Sequence, residues 1–151
     1  MTLGETALQI AIENLGKKEA TGHNDGTFVS MLQRWVAAGE SWLDGQPWCA
    51  CFASWCVYQA GARLGIKPAM PKSASSTTLY AWFKNNGKLV SPAPGCIGLI
   101  KAPKGSGKTH KHTFFVESIH GNTVRGIDGN WKNAVSKSSH PINMCDFGEP
   151  S

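Results

Sequence analysis

The stretch Gly45–Cys56, GQPWCACFASWC, puts Cys49, Cys51 and Cys56 close together beside Trp48 and Trp55, directly after Pro47. Four roles are open to thiols in such a setting: small core residues, zinc ligands, disulfide partners or a nucleophile. A proline followed by an apolar run that ends at Gly61 predicts a helix starting just after Pro47. At about 100° per residue, Cys49 and Cys56 share a face while Cys51 lies roughly opposite, so three thiols cannot converge on one metal from this helix alone. Cys56, Cys96 and Cys145 are read as small core residues. Cys49 differs, because the first turn of a helix offers unpaired N–H groups and the positive end of the dipole, both of which favour a thiolate.

A chain of 151 residues with 41% hydrophobic and 17% charged residues is neither a disordered tail nor a membrane protein, and is read as one domain over residues 1–151. Its five cysteines are odd in number and unevenly spaced, unlike a secreted disulfide framework. The N-terminal MTLGETALQIAIENLGKKEA lacks a basic n-region and its apolar residues are periodic, so the expectation is cytoplasmic synthesis without a signal peptide. No apolar run approaches the roughly 18 residues of a membrane helix, so membrane insertion is not expected. The formal charge of +5 favours anionic partners, among them nucleic acid, acidic lipid and cell-wall polymers, without choosing between them.

The first half reads as helical and the second as strands, an α+β pattern. Leu3 to Leu15 forms an apolar face that stops at Gly16, and Phe28 to Val36 one that stops at Gly39. A shorter helix follows the Ser/Thr cluster at Ser73–Thr78, with Leu79, Trp82 and Phe83 inward and Asn86-Gly87 as its stop. After Pro92 and Pro94 come the β-prone runs CIGLI, HTFFVESI and NTVRGIDGN, with His120-Gly121-Asn122 as a hairpin connection. The loop KAPKGSGKTHK between the first two runs reads as mobile and exposed. Its Gly107-Lys108-Thr109 does not make a phosphate loop, because the pattern needs glycine at 102 and the chain has Ala102.

A nucleophile at Cys49 needs a base. His112 heads the HTFFV run, and a hairpin centred on Gly121 places position 112 opposite roughly 129 or 130, near Asp128, with a bulge able to shift the register. His110, in the Lys/Gly loop, is the competing histidine. Gln46 and Trp48, just ahead of Cys49, are the candidates for contacting substrate or its oxyanion, although a loop glutamine is more often merely solvated. A zinc site would need His110 and His112 to join the cysteines, whose spacing is not that of a ribbon or finger. No metal is expected on that reading, and a zinc-dependent nucleic-acid binder is disfavoured with it.

GQPWCACFASWCVYQAG, PAPGCIGLI, HTFFVES and VRGIDGNW, in this order and spacing, resemble the CHAP family of cysteine- and histidine-dependent amidohydrolases and peptidases, a branch of the papain-like superfamily. The resemblance implies a papain-like fold with a helical N-terminal half packed on a small antiparallel β-sheet. It implies Cys49 as nucleophile, His112 as general base, Asp128 as the group orienting the histidine, and Asn130 as the polar residue that often follows. It also implies bacterial peptidoglycan as substrate, no cofactor, no nucleic acid and a monomer. The activity expected is N-acetylmuramoyl-L-alanine amidase of a phage or prophage endolysin, with a peptidoglycan endopeptidase or exported antibacterial effector as alternatives, and a non-catalytic binding protein on the same fold as the alternative of another class. Two departures stand out: Cys96 occupies a position that is often acidic, and SWLDGQPW offers only Asp44 where some members carry a calcium loop. The loops 17–26, 71–77 and 102–111, rich in Gly, Ser, Lys and Thr, are expected to shape the substrate site and to favour glycan over a hydrophobic peptide.

Overall fold

The computed structural model describes residues 1–151. Four helices come first: α1 (Leu3–Glu13), α2 (Thr27–Val36), α3 (Cys49–Leu64) and α4 (Ser76–Asn85). Local chemistry fixes their starts. Thr2 Oγ1 accepts from the Glu5 N–H at 3.1 Å while Glu5 Oε2 accepts from the Thr2 N–H at 3.0 Å, a capping box that opens α1. Ser75 Oγ accepts from the Thr78 N–H at 3.1 Å and opens α4. Helix α3 runs past the stop expected at Gly61 and ends at Gly65, which takes the left-handed conformation with φ 68°. Gly61 lies inside the helix and serves close packing instead, since a Cβ there would meet the Ile66 carbonyl oxygen at 2.4 Å.

Five strands follow: β1 (Ile97–Lys101), β2 (His110–His120), β3 (Thr123–Trp131), β4 (Ala134–Pro141) and β5 (Cys145–Gly148). They form one antiparallel sheet in the order β4-β3-β2-β1-β5. The architecture is the expected α+β arrangement, with two strands, β4 and β5, beyond those the sequence suggested. Ile97, Leu99, Phe115 and Ile127 face the helices and join Ala7, Ile10, Phe52 and Val57 in the main core. On the opposite face Ile100, Phe114, Val116 and Val124 form a smaller cluster with Phe147. Placing the ring of Phe114 there requires glycine at 98 and 126, where a Cβ would come within 2.2 and 2.8 Å of it.

The register between β2 and β3 decides what meets what. At the turn His120 pairs with Thr123 and Ile119 with Val124; a bulge between Val116 and Ser118 then sets Phe115 opposite Ile127. Continued without the bulge, the turn register would set Phe115 opposite Asp128 and turn the carboxylate toward the helices, since one residue of slip exchanges the faces of a strand. With it, Asp128 shares a face with His112. His110 is the first residue of β2 rather than part of the exposed loop, and is only 4% exposed.

Helix α3 reaches the sheet at β3, where a Cβ on Gly129 would lie 2.6 Å from Phe52 Cβ. We therefore expect Gly129→Ala to destabilise the fold by about 1–3 kcal/mol through overpacking, measured by chemical denaturation; an unchanged midpoint would show that the strand and helix have slack here.

Candidate active site

Cys49 is the first residue of α3, and Trp48, the residue that precedes it, supplies no side-chain cap. The first turn therefore has amides without intrahelical partners, and that of Ala50 bonds the thiol. Although burial pushes the Cys49 thiol up, the His112 ring beside it, by hydrogen bond and charge, and the backbone N–H groups of Thr113 and Ala50 bring it below the ordinary thiol value. The other four move the opposite way: burial pushes Cys51 up to about 12 and Cys145 to about 11, and raises Cys56 and Cys96. One thiol of five is lowered, and none is in a disulfide.

His112 Nε2 donates to Asp128 Oδ2 at 2.8 Å, which leaves Nδ1 for the thiol. Burial alone would lower the imidazole. The bonds to Asp128 and Cys49, and their charges, outweigh it and push His112 up to about 9. Burial would likewise raise Asp128, but donors from His112, His140 and Ser138 hold it below the usual carboxylate value. The arrangement favours a thiolate–imidazolium pair backed by an ionised carboxylate.

The bonds to Asp128 come from two strands. Besides His112, His140 Nε2 donates to Oδ2 at 2.8 Å and Ser138 Oγ donates to Oδ1 at 2.6 Å. Both belong to β4, which the sequence reading passed over; the available signal was the alternation of Ser136, Ser138 and His140. His112, Asp128 and His140 hold three ligand atoms within 4.8 Å of one another and are the residues with the chemistry to bind a metal. In the hydrogen-bonded arrangement they satisfy one another instead. Gly126 backs the carboxylate closely, a Cβ there lying 2.7 Å from Asp128 Oδ1.

The remaining sequence candidates are placed as follows. Gln46 lines the groove beside Cys49 with an exposed side chain, its backbone pinned by a bond to the Leu43 carbonyl at 3.0 Å and one from Gln33 Nε2 at 2.8 Å. Trp48 is corrected from a substrate contact to a core residue: it is 0% exposed, donates from Nε1 to Glu19 Oε2 at 2.8 Å, and packs on Phe28 and Phe52. Asn130, at φ 59°, makes no hydrogen bond to His112, whose Nε2 is taken by Asp128. It lines a cavity of about 360 Å³ on the other side of His112, with Trp131, His140 and Met144. His110 Nε2 donates to Asp146 Oδ2 at 2.8 Å, and its ring centroid lies 4.1 Å from that of Tyr80, so its replacement will not be silent as a loop residue's would be.

The groove at Cys49, about 440 Å³, is lined by Gln46, Ser75, Thr77, Lys108 and Lys111 among others. Two of the three expected loops, 71–77 and 102–111, contribute to it. The third, 17–26, instead braces the chain ahead of Cys49 through Glu19 and Trp48, and the stretch Leu43–Pro47 takes its place.

Residues 41–130 match the CHAP domain family. The chain belongs to the CHAP family. A search of curated proteins finds no match. Among solved structures, the CHAP chain resembles "The crystal structure of Ly7917" with TM-score 0.52 over 99% of its length, and "The crystal structure of Ly7917 with the hydrolyzing product of MDP" with TM-score 0.53 over 100%. Identity is 16% in both, so the likeness concerns the fold. The chain spans less than two thirds of those chains, 63% and 64%.

The ion pair makes a definite spectroscopic statement. NMR titration of the His112 ring should give a midpoint near 9, and Cys49→Ala should lower it, because the thiolate that favours the charged ring is gone. A wild-type midpoint near the ordinary imidazole value of about 6.5 would contradict the pairing.

Proposed function

We propose that this CHAP protein is a cysteine-dependent peptidoglycan hydrolase, cutting the N-acetylmuramoyl-L-alanine bond in the service of phage or prophage lysis. The observation that carries the reading is the lowered Cys49 thiol at a helix N-terminus, beside a raised His112, in an open groove. The thiolate attacks an amide carbonyl; the unpaired Cys49 N–H and the Gln46 side chain are the donors offered to the oxyanion. His112 then protonates the leaving amine from Nδ1, and water activated by the same nitrogen hydrolyses the thioester. Asp128 keeps the ring's other nitrogen protonated and its plane fixed throughout.

The choice of substrate is supported by the solved CHAP structure carrying the hydrolysing product of MDP, a peptidoglycan-derived compound, and by a formal charge of +5 that suits an anionic wall. The choice of bond is supported by the groove lining. Gln46, Ser75, Lys108 and Lys111 supply hydrogen-bond donors and positive charge, which suit a glycan and its lactyl junction better than apolar peptide side chains.

Digestion of purified peptidoglycan followed by mass spectrometry of the fragments tests this. Intact stem peptides with a free L-alanine N-terminus are expected from the wild type and none from Cys49→Ala. New amino termini further along the stem or bridge would assign endopeptidase activity instead, and digestion that survives Cys49→Ala would remove the cysteine mechanism.

A further inference from the structure

We propose that His140 is a positioning residue for this hydrolysis, holding the Asp128 carboxylate in the one orientation that aligns His112 with Cys49. The inference rests on the cysteine mechanism proposed above and adds a residue that never touches the thiol.

His140 Nε2 lies 2.8 Å from Asp128 Oδ2 and 2.9 Å from Ser138 Oγ. An ionised carboxylate only accepts, so His140 Nε2 carries a proton and donates it. The Ser138 hydroxyl is committed to Asp128 Oδ1, so its oxygen can share the same His140 N–H. The ring itself is held, being 4% exposed, 4.5 Å from Phe114 and edge-on to Trp131 at 4.8 Å between centroids. Both carboxylate oxygens are thus fixed from β4, while His112 donates to the same Oδ2 from β2. With the His140 donor removed, Oδ2 keeps His112 alone and only the rotatable Ser138 hydroxyl on Oδ1 still opposes a turn of the carboxylate, so the His112 ring that it orients is less firmly held.

Fully buried as it is, Asp128 also depends on these donors to stay ionised. The titratable groups that bear on it are His112 from β2, His140 from β4, the Cys145 thiol from β5, and Cys49 of α3 through His112. Cys145 stays a neutral thiol across the working range. Removing the His140 donor therefore moves Asp128 toward its protonated form at higher pH. The imidazolium then loses its counter-charge, and with it the thiolate loses support, all in the same direction.

The test is stem-peptide release from soluble peptidoglycan fragments, followed against pH for wild type, His140→Phe, His140→Gln and Cys49→Ala. Phenylalanine keeps a ring without a donor; glutamine keeps an N–H. His140→Phe should lower kcat about tenfold with KM little changed and shift the acid limb of kcat/KM upward by about one pH unit, while His140→Gln restores most of both. Thermal unfolding of each variant separates this from a packing role. Equal losses of stability in both variants, with wild-type kcat per folded enzyme and an unmoved acid limb, would overturn the inference while dependence on Cys49 leaves the mechanism standing. Release that survives Cys49→Ala would overturn both.

Discussion

A carboxylate with no access to water, Asp128, is the constraint around which this molecule is arranged. Burying an ionised group without partners costs several kcal/mol, so the fold must bring donors to it. It does so by a single extra residue, Glu117, in β2, which puts Asp128 on the face of His112 instead of that of the helices. Glycine at 126 then leaves room for the carboxylate and for Ser138, and glycines at 98 and 126 admit the Phe114 ring that packs beside it. Strand geometry, small residues and hydrogen bonds serve one end, which is a histidine bonded through Nε2 to that carboxylate.

Helix α3 supplies the other half. Its N-terminus ends on a buried indole, Trp48, anchored to Glu19, so the first-turn amides and Cys49 are held against β2 with little freedom. The contrast with Cys51, two residues later in the same helix, shows how local the effect is. Cys51 is buried without an imidazole beside it and is pushed up to about 12, whereas Cys49, buried too, is lowered. Proximity to His112, and not helix position alone, singles out the Cys49 thiol.

Much of this was legible in the sequence, and for physical reasons. Helices α1, α2 and α4 follow from apolar periodicity and a clear stop or cap, while Cys49 and His112 stood out as a thiol just past Pro47 and a histidine leading an apolar strand. Asp128 was reachable because the β2–β3 turn is short, but only with the bulge does the register bring it to the ring. What escaped was β4, whose AVSKSSHP has too few apolar residues to look like a strand; it forms because β3 offers it a continuous edge. His140 and Ser138 were lost with it. Trp48 misled for a related reason: a tryptophan beside a nucleophile resembles a substrate platform, and nothing local reveals that Glu19, far earlier in the chain, satisfies its N–H. His110 looked like loop because its partners, Asp146 and Tyr80, lie on β5 and α4.

The central claim is that Cys49 is a thiolate because His112 faces it. The rate of Cys49 alkylation by iodoacetamide against pH, with the modified residue mapped by mass spectrometry, measures this directly. The account predicts that the rate reaches half its plateau well below the ordinary thiol value of about 8.5, and that His112→Phe moves that midpoint up past it. A wild-type midpoint at or above the ordinary value, unmoved in His112→Phe, would contradict it.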